Sequence, residues 1–234
     1  MTHSNNINWH DRVQALQHQA SDARLKHFYS QVITSGTTPI SHINMVAMDF
    51  ETTGLDSNDN DIVSMGLVPF NLNRIFCRQA RHWLLKPTTP LDEQSVVLHQ
   101  ITHAEVADAP RFDKVITELL TVLAGSVVVV HYHQLERAFL RNKIQQVLGD
   151  TLLFPLIDTM ELEFRALDAR RGLLGKLFGA PIGSTRLTDS RKRYGLPVYN
   201  QHHALTDALA TAELLQAQLA HHYRRDTPLQ DLWM

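Results

Sequence analysis

Four carboxylates interrupt apolar stretches of this chain, and their surroundings suit joint chemistry. The first two close the run "VAMDFETTGLD", where Asp49 and Glu51 stand two residues apart at the end of a segment fit for burial. Side chains alternate along a strand, so both acids point to one face and Phe50 to the other. Two like charges on one face repel unless a proton or a cation lies between them. A divalent ion answers that need, because Mg2+ takes oxygen ligands and is commonly held by one or two carboxylates with phosphate and water. Thr52, Thr53 and Gly54 follow at once, offering hydroxyls, amides and room for the close approach of a nucleotide. The plainer reading is a solvated strand end before a glycine turn.

Glu136 comes next, in "VVVVHYHQLERAFL". It falls in the first turn of a helix that directly follows a buried strand, at the strand end where open α/β sheets collect ligands. An acid there also complements the helix dipole without any further role. Asp207 stands early in a long helix in "NQHHALTDALATAEL", with His202 five residues before it and His203 four before. On a continuous helix only the four-residue spacing shares a face, which would pair His203 with Asp207; a helix starting at or after His202 removes that rule. A capping region with a dipole-stabilised Asp is the alternative.

The elements that must position these acids are legible in outline. Residues 8 to 35 read as a helical extension, with Trp9, Val13, Leu16, Leu25, Phe28, Tyr29 and Val32 at helical intervals. Ile43 to Phe50 suits a buried central strand, and "DIVSMGLVPFN" and "RIFCRQARHWLL" around "NLN" read as two strands of a hairpin. Helical "FDKVITELLTVLAG", strand "SVVVVH", helix "QLERAFLRNKIQQVLG", strand "LLFPLID" and helix "TMELEFRAL" follow. A short helix at "LTDSRKRYG" precedes the long "HHALTDALATAELLQAQLAHHY". Three antiparallel strands and then alternating helices and strands imply an α/β fold with a mixed five-stranded sheet covered on both faces. The expected organisation is an N-terminal helical extension over 1–40, a main domain over 41–225 and a C-terminal tail over 226–234.

Composition bounds the setting. At 234 residues, 44% hydrophobic and 20% charged, the chain suits one globular domain with an extension, and no apolar run is long enough to cross a bilayer. The N-terminus lacks a basic region followed by an apolar segment, and the single Cys77 has no internal disulfide partner, so a cytoplasmic protein is expected. Net charge is −2, so the overall field does not favour nucleic acid. Between Arg165 and Arg193, however, eight basic residues (Arg165, Arg170, Arg171, Lys176, Arg186, Arg191, Lys192, Arg193) face two acids, Asp168 and Asp189. That stretch reads equally as a path for a phosphate backbone or as a solvated basic face. The 14 histidines are scattered, with no HExxH or CxxC spacing, which argues against structural zinc.

Taken together and in this order, "DFETTG", "HYHQLERAFL" and "HHALTDA" resemble the three motifs of the DEDDh 3′-to-5′ exonuclease family, which includes the proofreading ε subunit of bacterial DNA polymerase III, RNase T and oligoribonuclease. The resemblance covers roughly residues 43 to 221 and implies an RNase H-like fold. "IDT" at Ile157 to Thr159 and "YGLPV" at Tyr194 to Val198 are similar to that family as well. By resemblance, Asp49, Glu51, Asp207 and Glu136 would hold two Mg2+ ions, with Mn2+ able to substitute. The family places its histidine five residues before the last Asp, which selects His202 as the base and implies that it sits before the helix proper. Phe50, Thr52, Thr53, Gly54 and Leu55 would receive a terminal nucleotide, Leu55 as an apolar wedge, with His99 as a further contact. The implied activity is 3′-to-5′ hydrolysis of single-stranded DNA ends to nucleoside monophosphates; an exoribonuclease, or a polymerase-associated module that has lost catalysis, is the alternative. The implied partners are single-stranded nucleic acid 3′ ends and a polymerase or other replication or repair protein. In the second motif Tyr132, Leu135 and Glu136 stand where the family form His-Asn-x-x-Phe-Asp has Asn, Phe and Asp. Glu keeps the charge and adds a methylene.

Overall fold

Apolar runs without alternation mark strands buried on both faces, and β1 (Met45–Thr52) and β4 (Val127–Val130) show the consequence. Val46, Met48, Phe50, Val128 and Val130 enter one core layer, while Met45, Ala47, Val127 and Val129 enter the other. The computed structural model describes residues 8–172, 175, 179 and 181–234. With β2 (Ile62–Phe70), β3 (Arg81–Leu84) and β5 (Leu156–Asp158), the strands form a five-stranded sheet in the order β3-β2-β1-β4-β5. The first three strands pair antiparallel; β4 and β5 join parallel to β1. This is the expected mixed sheet.

Helices cover both faces. α1 (Trp9–Gln19), α2 (Ala23–Gln31), α5 (Phe112–Leu123) and α6 (His133–Leu148) supply the first layer. α7 (Thr159–Arg170) and α9 (Ala204–His222) supply the second, chiefly through Leu162, Ala208, Ala212, Leu215 and Leu219. Between β3 and α5 lie α3 (Glu93–His99) and α4 (His103–Ala107), and α8 (Leu187–Arg193) precedes α9. No helix among the described residues is long and apolar enough to cross a membrane.

Three local departures from the sequence reading have physical causes. The extension is two helices, because Asp22 caps α2 by accepting from Arg24 N and Asp150 accepts from Ser21 N, Ser21 Oγ and Asp22 N. The same Asp150 contacts fasten the extension to the loop after α6. The hairpin is not tight: a 3-10 turn (Cys77–Gln79) intervenes and β3 is a short edge strand. Residues near the C-terminus, set apart as a tail by the sequence, return to the core: Leu229 and Leu232 are buried, Trp233 bridges to Ile157, and Met234 N donates to Leu156 O.

One glycine decides how closely α9 can approach the sheet. Gly66 of β2 lies opposite Asp49, and a Cβ there would meet the backbone of Ala204 at 2.3 Å and Leu205 N at 2.4 Å. Only hydrogen fits between β2 and the first turn of α9, the turn that carries Asp207. Gly66→Ala should therefore destabilise the protein by about 3 kcal/mol, the upper part of the overpacking range, because a backbone contact cannot rotate away. Urea denaturation reads this directly; a loss below ~1 kcal/mol would mean that the helix end is free to shift.

Candidate active site

β1 delivers the first two acids as its alternation requires. Asp49 and Glu51 lie on the α9 side of the sheet, each half-buried. A bulge follows immediately: Glu51 pairs with Ser64 but Thr52 with Ile62. The extra residue, Val63, lies on β2; Thr52 is the last residue of β1, and the chain leaves the sheet after it. Asp207 comes from the first turn of α9, and one ligand oxygen each from Asp49, Glu51 and Asp207 lie within 4.8 Å of one another. Glu136, in the first turn of α6, is 3% exposed, and its Oε2 is buried with no hydrogen-bond partner.

Burial, and for Asp49 and Glu51 also the other carboxylates of the cluster, shifts every acid in the direction of protonation. Burial, and then the charges of Glu136, Glu51 and Asp207, push the Asp49 carboxyl well above the usual range. Glu51 is pushed up to about 8 by burial and by Asp207. Burial raises Glu136 well above its ordinary value, with the charge of Asp158 adding to it. Asp207 is raised by burial, opposed by the amides of His202 and His203. An all-oxygen donor set, half-buried at Asp49 and Glu51 and buried at Glu136 and Asp207, carrying an orphaned carboxylate oxygen and a repulsion that a cation would relieve, fits a hard divalent ion.

A pH dependence follows from those directions. A carboxyl whose folded pKa is raised leaves stability intact below its unfolded value near 4 and removes it as pH climbs toward the folded value. For Glu51 that window runs up to about 8. Metal-free protein should thus lose melting temperature steadily from about pH 5 to pH 8, and saturating Mn2+ should abolish most of that slope. Parallel melting curves with chelator and with Mn2+ would contradict the crowding.

α9 begins at Ala204, so His202 and His203 both precede it. His203 is the N-cap, its Nδ1 accepting from Thr206 N. His202 adopts a left-handed conformation (φ 66°) and its backbone N–H donates to Asp207 Oδ2 at 2.7 Å. The helical-face pairing of His203 with Asp207 therefore does not apply. A cleft of about 480 Å³ is lined by Asp49, His131, Met160, Arg186, His202 and Asp207 among others. His99 ends α3; its Nδ1 accepts from Ile101 N, which leaves the proton on a buried, unpartnered Nε2. Burial and nearby His202 lower its pKa.

The loop after β1 separates the expected nucleotide contacts into two groups. Leu55 is 86% exposed, and Thr52 Oγ1 donates to Gly54 O at 2.7 Å. Two expectations need correction. Phe50 lies in the core on the opposite face of β1, so only its main chain can meet a ligand. Thr53 is buried; its hydroxyl donates to Asn60 Oδ1 and accepts from Asp61 N, and its amide donates to Asp61 O. Its side chain shapes the loop instead. Asp61 in turn accepts from Thr88 and Thr89 amides and from Lys143, anchoring the loop to α6.

Much of the basic stretch is structural. Arg191 is buried, donates to Ala210 O and Pro197 O and pairs with Glu213; Arg193 pairs with buried Glu163, Arg165 with Glu161 and Arg171 with Asp168. Lys176 lies outside the described residues. Sequence reasoning gave no role to Gly66 or Asp158. A glycine inside an apolar strand was the available signal for the first. Asp158 accepts from three donors at the second motif and from Met160 N at the start of α7, in a pattern that no sequence spacing reveals.

The sequence model of the exonuclease family matches residues 46–215, from β1 through most of α9, and so includes all four acids. The chain belongs to the exonuclease family. This family member is 30% identical over 169 residues to the PolC-type DNA polymerase III of Thermotoga petrophila, covering 72% of the chain and 11% of that relative. It is 25% identical over 185 residues to the DNA polymerase III subunit epsilon of Treponema pallidum, covering 79% of the chain and 80% of the relative. The chain thus spans a small fraction of the PolC-type relatives and most of the epsilon subunit. Among solved structures, Exonuclease X in complex with 5′ overhanging duplex DNA aligns with a TM-score of 0.59 at 23% identity, over 80% of this chain and 98% of that one. The nuclease domain of 3′hExo, a DEDDh family member bound to rAMP, aligns at 0.61 and 17% identity, over 76% and 92%. The shared fold is the RNase H-like mixed sheet of exonucleases.

Proposed function

We propose that this exonuclease-family protein hydrolyses single-stranded DNA from the 3′ end, releasing nucleoside 5′-monophosphates with the help of two Mg2+ ions that Mn2+ can replace. The observation that carries the reading is the convergence of Asp49, Glu51 and Asp207 beside the buried, unpartnered carboxylate of Glu136. Asp49, Glu51 and Asp207 would hold one cation; Asp49 and Glu136 would hold the other. When bound, such a pair supplies Lewis acidity at both the attacking and the leaving oxygen of an in-line displacement.

The chain's own groups do the rest. His202, in the cleft with Asp49 and Asp207, takes the proton of the attacking water, a task suited to imidazole at neutral pH. The water oxygen bonds to phosphorus, the bond to the penultimate 3′-oxygen breaks, that oxygen takes a proton from solvent to become a 3′-hydroxyl, and the terminal nucleotide leaves with its 5′-phosphate. Exposed Leu55 abuts the terminal base, main-chain groups of residues 50–54 align the sugar, and the Nε2–H of His99 donates to a substrate oxygen. Single-stranded ends are favoured because a terminal nucleotide must leave its stack to reach such a loop. Relatives named as parts of DNA polymerase III favour DNA and a polymerase or other replication or repair partner.

A side-by-side assay of labelled single-stranded DNA, duplex DNA and RNA with Mg2+ and with Mn2+ tests the substrate assignment. Fastest mononucleotide release from single-stranded DNA is expected; faster release from RNA would reassign the substrate.

A further inference from the structure

The segment that carries Glu136 into the site is held in an unfavourable conformation by a contact from another strand. Tyr132, between β4 and α6, sits at φ 90° and ψ 69°. Residues with a Cβ resist this left-handed region, and bulky ones more than Asn or Gly. Such strain persists only where the surroundings over-determine it. The Tyr132 side chain does not cap α6.

The missing cap comes from the end of β5. Asp158, buried, accepts from Tyr132 N at 3.1 Å, His133 N at 2.9 Å and His133 Nδ1 at 2.7 Å, and also caps α7 through Met160 N at 2.8 Å. One carboxylate therefore closes two helix N-termini. The neighbouring Thr159 hydroxyl donates to Val130 O and bonds His131 Nδ1, securing the preceding two residues. Only the His133 ring adds a side-chain donor from the second-motif segment to Asp158, and Glu136 follows one turn later with its Oε2 unpartnered.

We propose that His133 and Asp158 form a latch that offsets the left-handed strain at Tyr132 and so positions Glu136 for its cation. The latch rests on the reading of Glu136 as a metal ligand. Both residues are positioning residues: they act on the backbone at 132–133, and through it on the direction of α6.

The test uses Mn2+ binding to the full chain by electron paramagnetic resonance, melting temperature without metal, and kcat and KM on a single-stranded oligonucleotide. His133→Phe, which keeps a ring and removes the donor, should weaken the weaker Mn2+ site roughly 10- to 100-fold and lower kcat, with KM unchanged. Adding Tyr132→Asn, which favours the left-handed conformation and empties no core space, should recover at least about fivefold of that loss. Tyr132→Asn alone should raise the melting temperature, which keeps the proposal open to refutation if His133→Phe does not fold. A lower melting temperature with Mn2+ affinity and kcat changed less than about twofold in His133→Phe would show a merely structural contact and overturn the latch. Absence of recovery in the double variant, or a melting temperature lowered by Tyr132→Asn, would overturn it too. Glu136→Gln separates the two levels. If it leaves both Mn2+ sites intact, the ligand reading fails and the latch with it; if it weakens one while His133→Phe does not, the latch alone fails.

Discussion

Asp49→Ala should eliminate nuclease activity, lowering kcat by at least roughly 10³-fold, the upper end of what one preorganised electrostatic contact contributes. The same variant, without metal, should melt at an equal or higher temperature than the parent. The two effects have one cause. Asp49 is disfavoured as a charge first by burial and then by the charges of Glu136, Glu51 and Asp207, so its removal relieves both in the metal-free protein and takes away the acid proposed to serve both cations. Pairing of β1 with Gly66 of β2 uses only backbone and survives the change. Asp207→Ala should be as inactive but gain less stability, since the Asp207 carboxylate also accepts from His202 N. Activity retained in Asp49→Ala, or a cooperative loss of folding at neutral pH, would contradict the role of the acid cluster.

His202→Ala and His203→Ala should separate chemistry from capping. Loss of a general base slows turnover by roughly 10²- to 10⁴-fold, and His202→Ala is expected in that range with its melting temperature little changed. His203 caps α9 through Thr206 N and stacks beside His82, with ring centroids 4.8 Å apart. Its replacement by Ala should lower stability by about 1 kcal/mol, the usual consequence of a lost N-cap, and leave kcat within about tenfold. Single-turnover rates on one oligonucleotide decide between them. Equal effects would sink the assignment of His202 as base.

The acids were legible in the sequence because each departs from a strong local pattern. Asp49 and Glu51 end an apolar strand two residues apart, Glu136 opens a helix directly after a buried strand, and Asp207 opens a long helix rich in Ala and Leu. Strand periodicity also implies that Phe50 points away from Asp49, and its side chain lies in the opposite core layer. What was hidden depends on neighbours far apart in the chain. Gly66 is required by a helix that begins at Ala204, Thr53 is drawn inward by Asp61 and Asn60, and Asp158 serves a turn 25 residues before it. The start of α9 was ambiguous between two adjacent histidines; helical spacing paired His203 with Asp207, a pairing that does not apply because α9 begins only after His203, its N-cap. Residues 229–233 carry too short an apolar pattern to announce that they close the edge of β5.

An acid cluster that binds divalent metal to cut DNA from its 3′ end makes a specific pattern of products. The most direct measurement follows a single-stranded DNA oligonucleotide labelled at its 5′ end, with Mg2+, with chelator, and with Asp49→Ala. The expected result is a ladder that shortens one nucleotide at a time only when the parent protein and Mg2+ are both present. Immediate release of the labelled mononucleotide, internal fragments, or cleavage that persists in chelator would contradict it.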